Sequence, residues 1–96
     1  MISIIALIRV KGSAPLEELN SLFRRLIDET RKESGCQRYE LQEVTDQAGL
    51  FMMMEEWKSE VALELHNNSK HFNDFVSSAS PYFAAPIEEF PFKRLI

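Results

Sequence analysis

Cysteine is almost missing from this 96-residue chain, which carries only Cys36, and glycine is scarce at three residues. One thiol closes no disulfide within the chain, and nothing beside it has the spacing of zinc ligands. A reducing compartment fits best, so the expected location is cytoplasmic and the expected metal content is none. Lysine and arginine form no cluster beyond dipeptides such as Arg24-Arg25 and Lys93-Arg94. With a net charge of −4 and a pI near 5.1, that pattern argues against nucleic acid or an anionic membrane surface as a partner. The apolar run from Met1 to Val10 has no basic start and no small-residue cleavage site, and it is too short to cross a bilayer. It reads as a strand. There is no glycine-rich phosphate loop, no nucleophile elbow and no Ser-His-Asp order, which leaves nucleotide binding and triad hydrolysis without support.

What is present is the composition of a folded globular protein, 45% hydrophobic and 27% charged. The length suits a single domain over residues 1–96, with no repeat, linker or low-complexity stretch. Its core is small enough that an added interface would help to stabilise it.

Residues 2–10 carry apolar side chains at both parities, as expected of a central strand covered on both faces. Lys11 to Pro15 breaks it, with Ser13 a candidate helix cap and Pro15 suited to a first turn. Leu16, Leu19, Leu22, Phe23, Leu26 and Ile27 then recur at three-and-four spacing, which predicts an amphipathic helix over 15–33 that Gly35 is placed to stop. Residues 37–45 alternate, with Tyr39 and Leu41 on one face, as an edge strand does. A turn at 46–49 leads to a strand over 50–57, again apolar at both parities. Ser59 caps a short helix through His66, and Asn67-Asn68-Ser69 interrupts it before a second segment bearing Phe72, Phe75, Val76 and Ala79. A loop with two prolines precedes a last strand over 87–95, which Pro91 confines to an edge or bulge. The order β-α-β-β-α-β is that of the ferredoxin-like α+β class, with a four-stranded antiparallel sheet and strands one and three in the centre. Helices cover only one face of such a sheet. A second copy packing sheet face to sheet face is the simplest cover for the other, so a homodimer is expected.

Three stretches carry the most specific pattern. They are Gly-Cys-Gln-Arg-Tyr-Glu-Leu from Gly35, Glu-Glu-Trp at 55–57, and the pair His66 and His71-Phe72 five residues apart. Together with the preceding strand and helix, the chain resembles the antibiotic biosynthesis monooxygenase family over nearly its whole length. The resemblance implies a dimeric α/β barrel with a pocket between sheet and helices. It further implies an oxygenation of a small aromatic or quinol-like substrate by O2 with no metal or flavin cofactor, in which an electron-rich hydroxyl compound is deprotonated and its anion reduces O2.

Within that frame His66 is the candidate catalytic base, since imidazole titrates near neutrality and this one lies at a helix end bordering the apolar face. A histidine that caps or packs has the same placement. Trp57 offers one N–H donor beside a large apolar surface, suited to orienting a planar substrate, and suits a core tryptophan as well. Tyr39, Phe72, Phe75, Tyr82 and Phe83 are candidate pocket residues, although aromatics at such spacing are ordinary core. His71 is expected to form a pocket wall at the start of its helix. Glu55 shares a strand face with Phe51, Met53 and Trp57, so burial there demands a partner or a raised pKa. Met52, Met53 and Met54 point to alternate faces and do not converge on a metal. Two other functions are alternatives: a dimeric small-molecule-binding module without turnover and, ranked below it, a haem-degrading monooxygenase with an axial histidine, a subgroup whose Asn and Trp-His arrangement this chain does not reproduce.

Overall fold

Strands with apolar residues at both parities take the middle of the sheet. In the computed structural model, which describes residues 1–96, β1 (Ile2–Arg9) and β3 (Leu50–Trp57) are central, while β2 (Cys36–Glu43) and β4 (Glu88–Phe92) form the edges. The order is β2-β3-β1-β4 and every pairing is antiparallel. Between the strands run α1 (Leu16–Thr30), α2 (Glu60–Asn67) and α3 (Lys70–Ala79), with a 3-10 turn over Ser80–Tyr82. This is the ferredoxin-like α+β arrangement expected from the pattern.

Strand alternation separates the two faces. Ile4, Ala6 and Ile8 of β1, Met53, Glu55 and Trp57 of β3, and Tyr39 of β2 are buried with Leu19, Phe23 and Leu26 of α1 and Phe75 and Ala79 of α3. Fully burying a side chain of leucine or phenylalanine size contributes roughly 2 kcal/mol relative to leaving it in water, so this face carries most of the core stability. Phe23 anchors an aromatic row, with Phe51 at 5.5 Å and Phe75 at 5.1 Å between ring centroids, and Phe75 reaches Phe83 at 6.3 Å. The alternate residues Ile5, Leu7, Met52 and Met54 lie on the opposite face, which no helix covers. They are only half-buried, and Phe90 and Phe92 of β4, paired with Ile5 and Ser3 there, are exposed.

Local signals differ from expectation at three places. Ser13 does not cap α1; Pro15 occupies that position with no side-chain hydrogen bond, because its fixed φ already suits the entry to a helix. Leu16, counted in the apolar stripe, is exposed. The helix ends at Thr30, so Gly35 is not its stop. A Cβ on Gly35 would stand 2.3 Å from the Cβ of Ala62, and this glycine is needed for the close approach of α2. The glycine with the left-handed backbone is Gly49, at φ 82°, in the β2-β3 turn.

Candidate functional site

The end of α1 is fastened to β2 by Arg31, whose Nε and Nη2 donate to the Tyr39 carbonyl at 3.1 and 2.9 Å. The chain then turns, with the Glu33 amide donating to the Thr30 carbonyl and the Cys36 amide to the Glu33 carbonyl. Gly35 seats this turn against Ala62, which puts Glu33 beneath the junction of α2 and α3.

One serine starts each of the two helices, and the second, Ser69, builds their junction. The Ser59 hydroxyl caps α2 by accepting from the Ala62 amide. Ser69 does two things at once: its Oγ donates to the His66 carbonyl at 2.7 Å and accepts from the Phe72 amide at 3.3 Å. One hydroxyl thereby gives the His66 carbonyl, which also accepts from the Ser69 amide, a second donor and satisfies an orphan N–H of the next helix. The break it stabilises turns His66 and His71 toward the same carboxylate. Glu33 Oε2 lies 2.8 Å from His66 Nδ1 and 2.7 Å from His71 Nε2.

His66 is 2% exposed and enclosed by rings, with centroids at 4.6 Å for Trp57, 5.0 Å for Phe72 and 5.2 Å for Tyr39. Burial pushes its pKa down, and the Glu33 hydrogen bond only partly offsets this, so the imidazole is neutral near pH 7. A carboxylate oxygen accepts and does not donate, so the neutral ring carries its proton on Nδ1 and its lone pair on Nε2. That is the tautomer of a proton acceptor. The Trp57 N–H, expected to be available for a ligand, instead donates to Glu55 Oε1 at 3.0 Å. Burial pushes Glu55 up to about 7, the Trp57 bond opposes the rise, and the carboxylates of Glu89 and Glu33 add to it. Tyr39 is raised well above its ordinary value, first by burial and next by Glu55. Its phenol stays protonated.

Six of the expected site residues therefore meet around one point: Tyr39, Glu55, Trp57, His66, His71 and Phe72. Three lie elsewhere. Phe75 and Phe83 belong to the aromatic row of the core. The Tyr82 hydroxyl donates to Glu18 in the first turn of α1, at the end of that helix remote from Glu33. Fifteen residues of helix correspond to about 22 Å of rise, which removes Tyr82 from the histidine cluster. A groove of about 390 Å³ runs between α1 and α3, with Leu22, Arg25, Lys70, His71 and Phe75 in its walls. It reaches the cluster through His71.

Glu33 carries no signal in the sequence. It lies in a turn with no periodicity, and its partners follow 33 and 38 residues later. Although the spacing of His66 and His71 matched no metal pattern, the fold makes a group of ligand type from these two and Glu33.

Residues 1–78 match the family model for antibiotic biosynthesis monooxygenase. The chain is 35% identical over 88 residues to a Bacillus subtilis protein named "Putative monooxygenase YcnE", covering 92% of each. Among solved structures, one described as an antibiotic biosynthesis monooxygenase superposes with a TM-score of 0.92 at 26% identity, covering 100% of both chains. A conserved protein of Methanosarcina mazei reaches 0.89 at 30% identity, with 98% of this chain and 92% of that one covered. No helix is long and apolar enough to cross a membrane. Motif, fold and comparison agree that the chain belongs to the antibiotic biosynthesis monooxygenase family.

Proposed function

We propose that the protein is a monooxygenase of small aromatic or quinol-like substrates, in which His66 removes the hydroxyl proton and Glu33 holds His66 in the required tautomer. The observation that carries this reading is the 2.8 Å contact of Glu33 with His66 Nδ1, which leaves Nε2 as the proton acceptor among aromatic walls. The substrate anion passes one electron to O2, and the radical pair combines at ring carbon to give a hydroperoxide. Loss of water then leaves one oxygen atom on the carbon and the other in H2O. The substrate supplies the electrons. Trp57 contributes as a ring surface braced by Glu55 rather than as a free donor, and Phe72 stands over His66 as the wall that must move for a substrate to enter.

The uncovered sheet face supports the second half of the proposal, a homodimer. Ile5, Leu7, Met52, Met54, Phe90 and Phe92 form one continuous apolar surface across three strands, and a second copy packing on it would remove that surface from water. The near-complete burial of His66 favours a second functional reading, a dimeric module that holds a small ligand without turnover. Oxygen uptake with a panel of hydroquinols separates the two. Uptake by the wild type that is lost in His66→Ala supports the enzyme. Tight ligand binding with no uptake in either protein supports the module.

A further inference from the structure

We propose that Glu33, His66 and His71 form a binding site for a divalent transition-metal ion of the zinc or cobalt type, and that its occupation switches off His66 as a base. The clause about the base rests on the function proposed above; the site itself does not. One nitrogen of each imidazole and a carboxylate oxygen lie within 4.8 Å of one another. Two imidazoles and one carboxylate are a donor set that suits such ions and not calcium or magnesium, which take oxygen ligands.

An ion requires modest movement of the three ligand atoms. Zinc bonds of about 2.0–2.1 Å in tetrahedral geometry hold ligand atoms about 3.3 Å apart. The two nitrogens lie within 4.8 Å of each other and must close by up to about 1.5 Å to hold an ion, while Glu33 Oε2, now 2.8 and 2.7 Å from them, draws back by about half an ångström. Glu33 lies in a turn rather than in a helix or strand, and its side chain can retreat by that amount. Access is available from one side, since the side chains of Glu33 and His71 are 17% and 20% exposed while that of His66 is 2%. A water completes the coordination there.

Metal on His66 Nδ1 displaces the proton now shared with Glu33, and a neutral ring then carries it on Nε2. His71 would bind the ion through Nε2 and keep its remaining proton on Nδ1. The His66 ring loses no proton overall, yet its Nε2 lone pair is gone. The bound form is therefore inactive as a base.

The test is titration of the metal-free full-length protein with Co2+, followed by its visible d–d bands, with Zn2+ as competitor. One ion should bind per chain, with bands of tetrahedral intensity that Zn2+ abolishes, and His71→Ala and Glu33→Gln should each bind at least tenfold more weakly. Thermal melts without metal establish that both variants fold. Absence of bands in the wild type, or binding by the two folded variants as tight as that of the wild type, overturns the site. Oxygen uptake with a hydroquinol, measured on the same samples, should fall in proportion to Co2+ occupancy; undiminished uptake at full occupancy overturns the switch. If the metal-free protein takes up no oxygen, the monooxygenase reading fails, and the bands still decide the site.

Discussion

Replacing Glu55 by Gln tests whether the buried carboxyl beside Trp57 is held protonated by its surroundings. Its pKa rises from an ordinary 4.5 to about 7 in the folded protein. Between those values the folded state binds a proton that the unfolded state has released, so stability falls as pH rises. The contribution is fully present below 4.5 and is lost as pH passes through about 7. Linkage over that shift amounts to about 2.5 kcal/mol between pH 5 and pH 8. Gln keeps an oxygen to accept the Trp57 N–H and has no charge to bury. Urea unfolding of both proteins at fixed concentration, at half-unit steps across that range, reads the difference directly. The variant should gain about 2.5 kcal/mol on the wild type between the two ends, with most of the change between pH 5 and 7. Other titrating groups cancel in the comparison. A difference that stays flat with pH to within about 0.5 kcal/mol would show that Glu55 is ionised in the fold and that its burial is not the dominant influence.

Three further substitutions probe the elements that build the site. Gly35→Ala drives a methyl into Ala62 and must push α2 away from the Glu33 turn; a loss of about 1–3 kcal/mol in unfolding free energy is expected, with weaker His66 packing read from ring-proton shifts in NMR. Leu7→Glu sets a charge in the uncovered apolar face and should convert a dimer into monomer in light scattering, whereas an unchanged mass would remove that face from the interface. Thr30 has a fully buried hydroxyl with no hydrogen-bond partner. Thr30→Val should be neutral or stabilising by up to about 1 kcal/mol in chemical denaturation, because it replaces an unsatisfied polar atom with a methyl.

How much of this was legible before the fold was known depended on the range of the interaction. Apolar residues at both parities in 2–10 and 50–57 identified the two central strands, since that pattern reports burial residue by residue. Tyr39, Glu55 and Trp57 could be grouped because strand alternation and antiparallel pairing place them on one face. The joining of His66 and His71 was half visible: Ser69 signals the helix break, but not the direction in which the second helix departs. Glu33 was invisible, because a lone acid in a turn looks like any solvated residue until α2 and α3 descend on it. Aromatic character alone groups Tyr82 and Phe83 with the site. Their true neighbours, Glu18 and Phe75, are fixed by where the α3-to-β4 loop crosses the far end of α1, which no local pattern encodes. Gly35 looks like a helix stop in the sequence, whereas its requirement comes from crowding by Ala62, 27 residues further on.

The most direct measurement of the proposed chemistry is a single-turnover reaction of metal-free protein with a hydroquinol under oxygen-18 gas, with product and water analysed by mass spectrometry. One labelled atom in the organic product and one in water are expected for the wild type, with at least a hundredfold lower yield for His66→Ala at equal fold stability. Equal labelled yield from both proteins would contradict His66 as the base, and hydrogen peroxide as the sole labelled product would contradict monooxygenation itself.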